Sequence, residues 1–248
     1  MRDALPVKGP RGQGERTPDY NRRAVIKILI VLAHPEQQSF NGSMFRTALE
    51  TFQRVGHKVK SSDLYPMKFN PVSDRRNFKT VLDPDYFRQQ REEMHAAKTN
   101  GFAQEIEEEM QKLEWCDLML WQFPLWWLGL PAILKGWVDR VFAMGRIYGS
   151  GRMYETGAFR GKRAMISITT GAPEEAYKKG GFNGDIHAIL RPIQKGILQF
   201  VGFDVMAPNI VYAPQRQTDE RRLEQLRAFA ERLERISEES PIDVGFFR

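Results

Sequence analysis

Trp126 and Trp127 stand side by side between an apolar run, Asp117-Leu118-Met119-Leu120-Trp121, and Pro131. The run reads as a buried strand and Pro131 as the first residue of a helix. Two adjacent indoles in a strand-to-helix loop suit a flat aromatic ligand that abuts or stacks on them. A hydrophobic plug or a subunit contact would use the same residues. Pro124 and Gly129 stiffen this loop around Leu125 and Leu128. A second loop, "AHPEQQSFNGSM", places Ser39, Phe40, Asn41 and Gly42 where a helix begins. Ser or Asn there caps free backbone N–H groups, and the same N–H groups and helix dipole can hold a phosphate. A capped helix and nothing more is the other reading. His34 follows the preceding strand and suits local hydrogen bonding as well as catalysis. A third loop, "TTGAPEEAYKKGGFNGD", offers the hydroxyls of Thr169 and Thr170 and a close backbone approach at Gly171. It also carries Tyr177, a hydrogen-bond donor near the same end of the sheet.

These loops need a frame. Apolar or alternating runs predict strands over 25–32, 58–64, 117–123, 163–169 and 203–211. Helical patterns lie over 42–55, 102–114, 131–142, 184–201 and 219–238. Residues 66–101 read as irregular, with turn signals. In the last helix, Leu223, Leu226, Phe229, Ala230 and Leu233 form one apolar stripe. Strand and helix alternate five times, so the fold class is α/β: a five-stranded parallel sheet with helices on both faces. Ligands bind such sheets at the carboxyl ends of the strands, where strand order reverses. The loops after strands one, three and four are those described above.

Residues 1–23, rich in Pro, Gly and charge, read as a disordered tail. Residues 24–242 form the domain and 243–248 a short C-terminal tail. The net charge is +6, of which +3 comes from six basic and three acidic residues of the first 23. So mildly basic a body argues weakly for nucleic acid, and no C2H2 or RNP-like spacing supports it. The single cysteine, Cys116, excludes an internal disulfide and a cysteine metal cluster. No metal is expected, and Cys116 reads as an inert packed thiol. Without a signal sequence or an apolar span, the expected place is the cytoplasm, with peripheral membrane association left open. There is no GxGxxG and no Walker loop.

Taken together, the motifs "AHPEQQSFNGSM", "SDLYPMKFNPVSDR", "QFPLWWLGLPAILKGWVDRVF", "SITTGAPEEAY" and "GFNGDIHAILRPIQKGILQFVGF" are more specific than any one loop. Over about residues 26–242 the chain resembles the NAD(P)H:quinone oxidoreductases of the flavodoxin-like superfamily. The resemblance implies strand order 2-1-3-4-5 and a homodimer with one FAD per site. It assigns His34, Ser39, Phe40 and Asn41 to the pyrophosphate region. Pro124, Leu125, Trp126, Trp127 and Leu128 would line the isoalloxazine, and Thr169, Thr170 and Gly171 its polar edge. Arg222 would lie near the adenosine. Tyr177 and Asn183 match the catalytic pair, and Trp127, Tyr148, Met153 and Phe200 the substrate pocket. Tyr148 and Phe200 would come from the partner subunit, and Asp139 would reach across the dimer. The implied reaction is ping-pong: NAD(P)H gives a hydride to the flavin, the oxidised nicotinamide leaves, and a quinone takes the hydride in its place.

This chain departs from the family pattern in several places. Asn183 replaces a His, so a hydrogen bond can be donated there but no proton taken up. Trp126 replaces a Gln, Ala172 a Gly, Ser150 a Tyr and Arg191 a Trp. A long C-terminal extension has no counterpart. Two other readings share the fold: an FMN-dependent azo- or nitroreductase, and an ancillary regulatory subunit of a potassium-efflux system.

Overall fold

The computed structural model describes residues 25–246. The tail expected over 1–23 lies outside the described residues. Five β-α units follow in order: β1 (Lys27–Leu32), α1 (Phe40–Arg54), β2 (Lys58–Asp63), α2 (Gln89–Thr99), α3 (Gln104–Trp115), β3 (Leu118–Pro124), α4 (Ala132–Val141), β4 (Arg163–Thr170), α5 (Ile186–Ile193), β5 (Asp204–Val205), β6 (Asn209–Tyr212) and α6 (Asp219–Glu234). The sheet order is β2-β1-β3-β4-β5, every pairing is parallel, and β6 pairs with β4 beyond β5. This is the expected flavodoxin-like order, with a sixth strand bonded to β4.

The central strands are mostly apolar because both of their faces are buried. Leu29, Val31, Met119, Trp121, Phe123, Ala164, Ile166 and Ile168 point to the layer that holds α3, α4 and α5. Their alternates, Ile28, Ile30, Leu118, Leu120 and Met165, meet Met44, Ala48 and Phe52 of α1 and Phe229 and Leu233 of α6. The two-residue period of a strand therefore builds two cores.

Four elements differ from the sequence reading. Residues 66–101 are not irregular throughout, since α2 lies within them. Its inward face carries Glu92, Glu93 and Ala96 rather than an apolar stripe. The fifth strand is split into β5 and β6 around residues 206–208, where Pro208 has no N–H to give a ladder. The helix expected over 184–201 passes from α5 into a π-helical turn, Gln194–Gln199, with Pro192 inside α5. In α6 the stripe is shorter than expected, because Leu223 is exposed. At the C-terminal end, the Ile242 N–H donates to the Val205 carbonyl at 2.8 Å and Val244 is buried.

Arg140 fixes α4 and the long connection before α2. Its guanidinium is buried and donates to Asn77 Oδ1 (2.7 Å), to the Asn70 carbonyl (2.6 Å) and to Glu105 (2.5 Å). Removing one partner of such a group strands a buried charge, so this tie holds the helix that starts at Pro131.

Candidate functional site

A cleft of about 710 Å³ opens at the carboxyl ends of β1, β3 and β4. The α1 helix enters it with its N-terminus. The Ser39 hydroxyl caps that end, accepting from the Gly42 N–H at 3.1 Å. A Cβ on Gly42 would sit 2.1 Å from the Gln37 carbonyl oxygen, so the loop can pack on α1 only with glycine there. Among the described residues, no protein acceptor takes the backbone N–H of Phe40 or Asn41. These free donors, the positive end of the helix dipole and the Ser39 and Ser43 hydroxyls form a set suited to an anion such as a pyrophosphate.

The β3 loop supplies the aromatic wall. Residues 126–129 close a tight turn, with the Gly129 N–H donating to the Trp126 carbonyl at 2.9 Å. Trp127 and Leu128 at its centre have φ of 51° and 57°. Two successive positive φ values mark a type I′ turn, which ordinarily recruits Asn or Gly. Trp127 is fully exposed and Trp126 partly so. The His34 ring stands 6.1 Å from Trp126, tilted by 51°. His34 Nδ1 lies 3.0 Å from both the N–H and the carbonyl oxygen of Glu36, which curls the first loop around the ring.

The cleft floor is polar and buried. Gln122 Nε2 donates to Asn41 Oδ1 at 2.8 Å, and Asn41 Nδ2 donates to Thr169 Oγ1 at 2.9 Å. Thr170 Oγ1 donates to the Ala172 carbonyl at 2.7 Å. On the far side Ala213, at φ 44°, turns the chain from β6 into Pro214 and Gln215. Gln215 Nε2 donates to the Gly171 carbonyl at 3.0 Å. Arg222 donates to the carbonyls of Pro214 (3.1 Å) and Gln217 (2.9 Å) and pairs with Asp219, which sets one cation at the rim.

Of the residues assigned to cofactor binding, His34, Ser39, Phe40, Asn41, Pro124, Leu125, Trp126, Trp127, Thr169, Thr170, Gly171 and Arg222 all line this cleft; Leu128 does not. Gln38, Ser43, Pro214 and Gln215 line it as well and were not foreseen. Ser43 had a signal, lying one helical turn beyond Ser39. Pro214 and Gln215 had none, since the left-handed Ala213 that aims them is not a residue type that announces such a turn. Tyr177 sits outside the cleft, 5% exposed, with its ring 5.9 Å from Tyr212. Asn183 closes the turn after it, its backbone N–H donating to the Ala176 carbonyl at 2.8 Å.

The residues assigned to the substrate pocket do not meet within one chain. Trp127 lines the main cleft, whereas Tyr148 and Phe200 line a second of about 400 Å³ between α2, α4 and the π-helical turn. Their rings meet edge to face at 5.5 Å. Met153 is exposed and lines neither. In the second cleft, burial pushes the Glu93 carboxyl up, opposed by hydrogen bonds from the Met144 N–H and the Gln89 amide. Burial likewise raises the Tyr148 phenol against a bond from Gln90. Asp139 forms an exposed pair with Lys135 at 2.7 Å. Cys116 is fully buried, its Sγ donating to the Leu113 carbonyl at 3.2 Å, and burial pushes its thiol up to about 12.

Reversal of strand order beside a crevice at the ends of β1, β3 and β4 defines a flavodoxin-like α/β protein. The family model described as flavodoxin-like fold matches residues 26–235. NAD(P)H dehydrogenase (quinone) 1 of Cavia porcellus is 43% identical over 220 residues, covering 88% of this chain and 80% of its own. Ribosyldihydronicotinamide dehydrogenase (quinone) of Homo sapiens is 42% identical over 217 residues, with 87% and 94% covered. A solved structure from Klebsiella pneumoniae, described as a candidate quinone reductase, superposes with a TM-score of 0.85 at 37% identity, covering 88% and 87%. The chain belongs to the NAD(P)H:quinone oxidoreductase family of enzymes.

Proposed function

We propose that this chain is an FAD-dependent NAD(P)H:quinone oxidoreductase that works by a ping-pong cycle as a homodimer in the cytoplasm. The observation that carries the reading is the main cleft. One crevice combines a free helix N-terminus, a buried hydroxyl-lined floor, an exposed aromatic wall and a rim cation. That donor set fits a flavin dinucleotide from end to end: N–H groups and hydroxyls for the pyrophosphate, indoles for a flat ring system, Arg222 for the adenosine side. A flavin held there would supply the redox chemistry, hydride transfer between NAD(P)H and a quinone.

The chain's own part is binding, orientation and charge. The α1 N-terminus and Ser39 neutralise and fix the anionic end. Trp126 and Trp127 hold flat partners in parallel, which converts encounter into proximity. The Thr169 hydroxyl and the backbone N–H groups near Thr170 and Gly171 would stabilise negative charge at the ring's polar edge. Tyr177 and Asn183 are assigned to the same edge. The second cleft, with Tyr148 and Phe200, is the wall each subunit would lend its partner. No helix among the described residues is long and apolar enough to cross a membrane.

The test is initial-rate kinetics with a water-soluble quinone and NADH, NADPH or ribosyldihydronicotinamide as donor, after the bound flavin has been identified by chromatography. Parallel double-reciprocal lines and recovered FAD are expected. Intersecting lines overturn the ping-pong cycle, and recovered FMN overturns the cofactor assignment.

A further inference from the structure

The floor of the main cleft contains a side-chain chain that starts outside it. Gln122 follows Leu118 and Leu120 on the face of β3 that α1 covers, and it is 1% exposed. It does not line the cleft, yet its amide reaches Asn41 at 2.8 Å, and Asn41 reaches Thr169 at 2.9 Å. Asn41 and Thr169 are 4% and 5% exposed and do line the cleft.

The direction of this chain has a consequence. Asn41 donates to Thr169 Oγ1, so the hydroxyl proton of Thr169 is not needed by Asn41 and is free for a ligand. Thr170 is the opposite case, because its proton goes to the Ala172 carbonyl. If both amides turned over, Thr169 would have to donate to Asn41, and its proton would be withdrawn from the cleft. The burial of Gln122 selects between the two. In the observed orientation its Oε1 has no partner among the described residues. Turned over, both N–H groups of Nε2 would be left instead. Orphaned buried N–H groups are rarer and costlier than under-used carbonyl oxygens.

We propose that Gln122 is a positioning residue that sets the hydrogen-bond polarity of the flavin site. Acting through Asn41, it keeps the Thr169 hydroxyl a donor toward an acceptor atom of the bound flavin, a carbonyl oxygen or ring nitrogen. This rests on the flavoprotein reading given above.

Gln122→Glu keeps the shape and makes the polarity depend on pH. A buried carboxyl is held in its protonated form well above the usual range. Protonated, it donates to Asn41 Oδ1 as the amide does. Ionised, it can only accept, Asn41 must turn, and the Thr169 proton is consumed. FAD is titrated against wild type and variant from about pH 5 to about pH 9 by flavin fluorescence, with thermal melting in the same buffers. The variant should match wild type at the acid end and fall about tenfold behind at the alkaline end, as for one lost hydrogen bond. Adding Thr169→Val should remove the pH dependence of that ratio. A ratio that is flat with pH, or a pH dependence that survives Thr169→Val, overturns the relay while the flavin reading stands. Should Gln122→Glu fail to fold at high pH, Gln122→Met decides: binding FAD as tightly as wild type overturns the relay, and a loss of a few fold supports it. A wild-type chain that takes up no flavin overturns both.

Discussion

Trp127 offers a perturbation in which stability and binding should move in opposite directions. Its side chain is fully exposed, so it contributes almost no burial to the folded chain. Its backbone is held at φ 51°, beside Leu128 at 57°. For a non-glycine residue the left-handed region costs about 1–2 kcal/mol. Glycine removes that cost but loses about 0.5–1 kcal/mol of extra chain entropy on folding. The net expectation for Trp127→Gly is a flavin-free protein more stable by about 0.5–1 kcal/mol. For a chain of this length that is a rise in Tm of about 1–4 °C. Trp127→Ala keeps the strain and should show no such gain. Both variants lose the indole face, and FAD affinity should fall by about tenfold, as for one lost aromatic pairing. The assay is thermal unfolding of flavin-free protein paired with an FAD titration. If flavin-free Trp127→Gly melts below wild type, the indole packs against another surface in solution. If FAD affinity is unchanged in both variants, the turn is not the wall of the flavin site.

Other expectations follow from the same geometry. The Glu93 carboxyl is raised by burial above its usual 4.5, so the stability it contributes is complete at low pH and is lost as pH rises through the folded value. Glu93→Gln should therefore gain on wild type in chemical denaturation as pH goes from about 4 to about 7; a constant difference would contradict the burial argument. Cys116, with its thiol pushed up to about 12, is essentially all protonated at pH 8, so the native protein should resist a disulfide reagent that reacts at once after denaturation. Rapid native labelling would mean that the thiol is reachable. Arg222→Leu should weaken FAD about tenfold and leave FMN nearly unaffected, as measured by calorimetry at low and high salt. Equal losses for both flavins would remove Arg222 from the adenosine side.

The sequence exposed the frame because β1, β3 and β4 are buried on both faces, and such strands read as mostly apolar runs. It exposed most of the main cleft because loops at those strand ends must meet there once strand order reverses. What it hid has physical reasons. The α2 helix buries Glu92 and Glu93 on its inner face, each satisfied by distant backbone N–H groups, of Leu82 and Asp83 for one and Met144 for the other. No periodicity rule scores buried carboxylates as a helix signal. Pro214 and Gln215 reach the cleft through the left-handed Ala213, which local sequence does not mark. Gln122 lies inside a strand motif and looks like one polar residue among apolar ones. Its partner Asn41 is 81 positions away, and only the fold brings the two together. The separation of Tyr148 and Phe200 from Trp127 belongs to the single chain, and a site shared between two subunits would close it.

The most direct test of the central claim is anaerobic mixing of the FAD-reconstituted protein with NADPH, and separately with NADH, followed at the flavin absorption band. A band that bleaches within the first turnover and returns when a quinone is added is the predicted result. A bound flavin that neither nicotinamide bleaches would contradict it, leaving a family fold with a flavin site and no reductase chemistry.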